Sequence, residues 1–155
     1  YNIQRSILFS DSSRNISTAA YTTVMLELLG SDCAASLATV ASNIYFHEDK
    51  AKIEAMKLAS RAARGENIVL TATSESTEMP NVKGYAFTEG DVLTLIFTSL
   101  SNTPSSIFIN IPEAIRGAKI TRIDSSGQNV ETSIVRTLDK RFTILPGQVM
   151  MLILE

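Results

Sequence analysis

The sequence predicts an α+β chain in which a helix-rich N-terminal part is followed by an antiparallel β-sandwich. Three observations carry this. Texture changes near Gly65: Ala, Leu, Met, Lys and Glu prevail before it, and Ile, Val, Thr and Phe after it, broken by Gly, Pro and Asn. Downstream, apolar runs recur about every 8–14 residues between turn-forming clusters, which is the rhythm of a sandwich. Upstream, residues 47–64 carry the charge and apolar periodicity of a helix. No internal repeat or low-complexity tract interrupts this order. The 155 residues therefore divide into a helix-rich segment, 1–65, and a sandwich, 66–155.

Ile7-Leu8-Phe9, followed by the polar run Ser10–Ser13, reads as a short buried strand leading into a loop. Thr18 to Leu29 reads as a helix, with Asn15 or Ser17 as its N-cap and Gly30 as its terminator. Ser31 or Asp32 is placed to cap a further helix from Cys33 to Asn43, rich enough in alanine to pack closely. The clearest helix runs from His47 to Arg64. Glu48 and Asp49 complement its N-terminal dipole, and Arg61 and Arg64 its C-terminal one. Ile53, Met56, Ala59 and Ala63 form a narrow apolar stripe, Glu54 and Lys57 are spaced for a surface pair, and Gly65 stands at the C-cap.

The strands expected after Asn67 are 68–73, 82–87, 92–99, 106–111, 118–124, 130–137, 141–144 and 149–154. Thr88-Glu89-Gly90-Asp91, Ser125-Ser126-Gly127-Gln128 and Leu145-Pro146-Gly147 supply the turns. Strand 92–99 is apolar on nearly both faces, which predicts a central place with cover on both sides.

Composition narrows the function by exclusion. At 45% hydrophobic and 19% charged, the chain can build a core. A net charge of −2 with no basic run argues against nucleic-acid binding. One cysteine, Cys33, makes no intramolecular disulfide or cysteine-rich zinc site, and reads as a small buried residue. One histidine, His47, leaves little for metal or acid–base chemistry, and no metal or cofactor is expected. The uncharged stretches 15–26 and 33–46 are too short and too polar for a membrane span. Tyr1 opens the chain without a basic n-region, so no signal peptide is read, and such a start suggests a processed product or a piece of something longer. Localisation is not legible, although Asn15-Ile16-Ser17 is a glycosylation sequon, usable if the chain is secreted or displayed at a cell surface.

Phosphate loops, nucleophile elbows and HExxH motifs are absent. Glycosidase chemistry needs two carboxylates about 5–10 Å apart. Glu48-Asp49, Glu75/Glu78 and Glu89/Asp91 are the pairs on offer, and each reads better as a helix start, a polar loop and a hairpin turn. The chain has no Trp to stack on sugars. Tyr85 is the best-placed aromatic and reads as structural, while Phe87, Phe97, Phe108 and Phe142 read as core. Catalytic residues are therefore unknown.

From Ala51 onward the order of features is more specific. Lys57-Leu58-Ala59-Ser60-Arg61-Ala62-Ala63-Arg64-Gly65 ends a helix, and Asn67-Ile68-Val69-Leu70 follows at once. Then come the hairpin Val82–Ser99, Asn102-Thr103-Pro104, Ile107-Phe108-Ile109-Asn110-Ile111-Pro112, and the closing run Phe142-Thr143-Ile144-Leu145-Pro146-Gly147-Gln148-Val149 to Leu154. This resembles the C-terminal portion of barrel-type retaining glycoside hydrolases, such as the xylosidase, arabinofuranosidase, agarase and glucosylceramidase-like families. There the last barrel helix leads into a β-sandwich. The resemblance implies that segment 1–65 is the tail of a (β/α)8 barrel and that the sandwich packs on that barrel, the remainder of the parent enzyme. It also implies a structural role beside a polysaccharide substrate, and it carries over no catalytic residue. The alternative is a non-catalytic sandwich for adhesion or assembly in a surface layer, fibre or capsid-like array, suggested by strand richness and many Ser and Thr residues.

Overall fold

The computed structural model describes residues 16–29, 50–62, 64–68, 81–111, 115 and 117–154. Within them lie helices α1 (Thr18–Leu29) and α2 (Lys50–Ala62). The strands are β1 (Glu66–Ile68), β2 (Val82–Glu89), β3 (Val92–Ser99), β4 (Ser105–Phe108), β5 (Ala118–Ile123), β6 (Val130–Val135), β7 (Arg141–Ile144) and β8 (Val149–Leu154). Strands β3, β7 and β8 match their expected limits. Strand β2 runs two residues longer, β4 starts one residue earlier and ends sooner, and β5 and β6 end one or two residues early. Beyond Ile68 the expected strand 68–73 lies outside the described residues. The expected strand 7–9 and helix 33–43 lie outside the described residues, as do Asn15, Cys33, His47, Glu48, Asp49, Glu75 and Glu78.

Every strand pair is antiparallel. Six strands form one sheet in the order β1-β2-β3-β8-β5-β6, and β4 pairs with β7 in a second. Central position explains the composition of β3 and β8. Their alternate residues feed two different cores, so neither face tolerates a run of polar side chains. On one face, Leu95, Phe97, Met150, Leu152 and Leu154 meet Phe142 and Ile144 of the small sheet. On the other, Phe87, Ile96, Val149, Met151 and Ile153 lie beneath Ala19 and Leu26 of α1 and Leu58 and Ala62 of α2. A third cluster joins the helices to each other, with Tyr21 and Met25 of α1 against Ala51, Ala55 and Ala59 of α2. The order is thus helices, large sheet, small sheet.

The stripe read on α2 is not its most buried face. Ala51, Ala55, Leu58 and Ala62 are buried, with Ala59 the one described stripe member beside them, while Ile53 and Met56 are only partly covered and Ala63 lies outside the described residues. Alanines win the inner face because α1 lies close enough that larger side chains would not fit. Gly65 also serves differently from the C-cap reading. It is not among the glycines with positive φ; instead, a Cβ there would come within 2.6 Å of the Phe87 ring and 2.8 Å of the Thr88 carbonyl oxygen. Close approach of backbone to sheet is what requires glycine. Phe108, expected in the core, is 65% exposed on the outer face of β4. In this short strand Ile107 takes the inward position opposite Phe142, and alternation turns Phe108 outward.

Both helices start at the same end of the large sheet, on the β5–β6 turn. Ser17 is the N-cap of α1, its Oγ accepting from Ala20 N at 3.1 Å. Thr18 N donates to Ser125 O at 2.9 Å and Ala19 N to Gly147 O at 3.1 Å, which satisfies helix-start donors that would otherwise be orphaned. Thr18 Oγ1 donates to Asp124 O at 2.8 Å. Gly127 in the same turn lies against the first residues of α2: a Cβ there would be 2.5 Å from Ala51 N. Asp124 organises the turn, since its carboxylate accepts from Ser126 Oγ at 2.9 Å, from Gln128 N at 3.1 Å and from Asn129 Nδ2.

Partial burial pushes the Asp124 carboxyl upward, but the hydrogen bonds from Asn129, Ser126 and the turn backbone outweigh it and hold the group below its ordinary range. A depressed folded pKa stabilises above the unfolded value, near 3.9, and that stability is lost as pH falls through the folded one. Acid titration of the melting temperature should therefore show a steeper loss below about pH 4 in the wild type than in Asp124→Asn. Equal slopes would mean that the carboxylate does not hold the turn.

Candidate functional site

The helix-covered face of the large sheet holds the described side chains with the most unusual surroundings. Alternation on β2 sends Lys83, Tyr85 and Phe87 to this face. Phe87 is buried under the helices. Tyr85 reaches the C-terminal half of α1, where its OH donates to Glu27 Oε1 at 2.8 Å, and Lys83 Nζ approaches the same oxygen at 3.5 Å. Beside them Thr23 Oγ1 and Thr98 Oγ1 share a 2.7 Å hydrogen bond beneath the helix. Burial, then the hydrogen bond to Glu27 and its charge, raise the Tyr85 phenol well above its ordinary value.

The sign of the consequence follows. Because the folded pKa lies above the unfolded value near 10, the contribution of Tyr85 is fully present below about pH 10 and fades as pH rises beyond it. Tyr85→Phe should melt slightly below the wild type at neutral pH and lose stability less steeply above about pH 10. Parallel pH profiles would count against the Glu27 tether. The geometry makes Tyr85 an anchor of α1 on the sheet, in keeping with the structural reading of this residue.

The second feature is a groove. Helix α2 begins beside Gly127, at the β5–β6 turn, and its C-terminal end, continued by Gly65, lies beside Phe87 on β2. It therefore crosses the sheet obliquely and leaves the β6 side of the β5–β6 corner incompletely covered, with Val130 46% exposed. Between this helix and that corner lies a groove of 720 Å³, floored by Thr121, Ile123, Val130 and Met151. Its helix wall contains Ile53 and Met56, both partly buried, of which Met56 also packs against the cluster between α1 and α2, together with Lys57, Arg61 and Arg64. Lys57 pairs with Glu54 at 2.7 Å, as their spacing predicted. Arg61 Nε is shielded from solvent and has no hydrogen-bond acceptor.

Glu89 and Asp91 flank Gly90 at the exposed tip of the β2–β3 hairpin, the turn position expected for them, and neither adjoins the groove. Among the described residues no group of three or more His, Cys, Asp or Glu side chains could hold a metal ion. Nor is any described helix long and apolar enough to cross a membrane. The groove escaped sequence reasoning because it is made by the crossing angle of α2. The only local signal was that Ile53 and Met56 project off the alanine face.

No protein-family model matches the chain, and no curated protein does. Solved structures do match. A GH30 endoxylanase from Clostridium papyrosolvens C71 superposes with a TM-score of 0.61 at 15% identity, over 97% of this chain and 41% of that one. A β-porphyranase of glycoside hydrolase family 86 from Bacteroides plebeius gives 0.47 at 18% identity, over 58% of this chain and 16% of that one. A family 44 endoglucanase from Clostridium thermocellum gives 0.42 at 12% identity, over 51% and 18%. The chain thus has a fold found in glycoside hydrolases, and it spans well under half the length of each of these proteins.

Proposed function

We propose that this chain is the C-terminal portion of a glycoside hydrolase acting on a polysaccharide. In this reading residues 1–65 are the tail of a (β/α)8 barrel, residues 66–155 are the sandwich that packs on it, and the catalytic pair belongs to the remainder of the parent enzyme. The observation that carries the reading is the direction of the helices. Both run from the β5–β6 turn toward β2, so they are parallel neighbours. Successive helices of a β/α barrel run parallel, whereas an αα-hairpin sets them antiparallel. The likeness to the family 30 endoxylanase supports the same reading, since it extends over helices and sandwich together. The sandwich acts structurally. Its large sheet gives the helices a rigid floor, and Asp124 and Gly127 fix where they begin.

Intact mass and native size of the protein isolated from its source, with peptide mapping, test this. A larger chain or tightly bound companion carrying two glutamates at barrel-strand ends is expected, with hydrolysis of xylan or agar-type polysaccharides by the whole assembly. A lone 155-residue chain that forms defined oligomers or fibres would overturn it. The assembly reading would then take its place, favoured by β6, the edge strand of the large sheet among the described residues, where Ile134 is 80% exposed.

A further inference from the structure

We propose that the groove between α2 and the β5–β6 corner is the seat of an amphipathic helix with a carboxylate-bearing flank, supplied by the rest of the parent enzyme. The inference rests on the reading above and adds where, and by what chemistry, the missing portion docks. Apolar surface is the first argument. Ile53 and Met56 on one wall and Val130 on the floor are all incompletely covered, and Ile134, 80% exposed, lies beyond Thr132 on the same face of β6. Partly exposed aliphatic side chains gathered in one groove are the mark of an interaction surface rather than of scattered exposure. The groove opens onto a flat strand instead of closing into a tunnel, which suits a polypeptide ridge better than an enclosed small molecule.

Charge decides the partner's flank. Within the groove Glu54 is taken by Lys57, which leaves Arg61 and Arg64 as a positive rim with no other carboxylate among the described lining residues. Both arginines complement the C-terminal dipole of α2. That role does not supply an acceptor for Arg61 Nε, which is withdrawn from water and unpartnered. A guanidinium in this state is completed by a carboxylate, the acceptor that matches its fork of donors. A helix presenting Leu or Ile at i, i+3, i+4 and i+7, with Glu or Asp beside them, meets both requirements.

The test uses the 155-residue chain and two fluorescein-labelled synthetic helices of about 18 residues, identical in their leucine ridge, one flanked by Glu and its twin by Lys. In low salt the Glu peptide should bind more tightly by roughly tenfold or more, equivalent to about 1.4 kcal/mol. The preference should shrink toward 1 M salt, where the screening length falls to about 3 Å. Arg61→Glu with Arg64→Glu should reverse the preference, and Val130→Ser with Ile134→Ser should weaken both peptides. Equal affinities for the twins, or no binding of either, would overturn the proposal. Should the charge-reversed variant fail to fold, the serine variant decides, because its side chains are partly or largely exposed, and unchanged binding would be equally fatal. Peptide mapping separates this from the parent reading: a larger enzyme without a peptide preference defeats the groove alone. A lone chain defeats the parent and with it this occupant, even if the groove still prefers the Glu peptide.

Discussion

Gly127→Ala is expected to cost roughly 2–5 kcal/mol and to unseat α2. Two effects add. The residue sits at φ +73°, a left-handed conformation that charges an L side chain about 1–2 kcal/mol. In addition, the new methyl would lie 2.5 Å from Ala51 N and 2.6 Å from the Lys50 carbonyl, so the helix start must move, at a further cost of about 1–3 kcal/mol. Gly90→Ala is the natural control. It shares the backbone conformation, at φ +61°, but nothing lies within 4 Å of its added carbon. Urea unfolding of both variants therefore isolates the contact between the turn and the helix. A Gly127 variant no worse than the Gly90 variant would show that α2 does not start on this turn.

The second large effect concerns cooperativity. Leu152→Ala empties space between the two sheets, and Leu58→Ala empties space between α2 and the large sheet. Each should cost about 2–5 kcal/mol, as buried leucine truncations do. Strand β8 feeds both cores, Leu152 to one side and Met151 and Ile153 to the other, so damage on either side weakens the same central strand. We expect one thermal transition in both variants, with far-UV circular dichroism and tyrosine absorbance coincident. A Leu58→Ala protein that lost helix signal first and kept its strands would mean that helices and sandwich unfold as separate units.

Much of the secondary structure was legible because its causes are local. The alternation of 82–89, the doubly apolar run 92–99 and the turns at Gly90, Gly127 and Gly147 each declare themselves within a few residues. The Glu54–Lys57 pair follows from helical spacing alone. Ser17 was distinguished from Asn15 as the cap of α1 only by the hydrogen bond to Ala20. Phe108 was misjudged because a four-residue strand shows too little alternation to reveal which residue faces in. The stripe on α2 was read by hydrophobicity, whereas the fold sorted its residues by size, putting alanines against α1 and leaving Ile53 and Met56 at the groove.

What the sequence by itself determined is the kind and order of the elements, since periodicity, caps and turn residues act over a few positions. Only the tertiary structure decided how they share surfaces. The parallel course of α1 and α2, the oblique crossing that opens the groove, and the unpartnered Nε of Arg61 arise from contacts between residues far apart in the chain, such as Gly127 with Ala51 and Tyr85 with Glu27. Such contacts are set by which helix fits which part of the sheet, a matter of three-dimensional packing that no local pattern encodes.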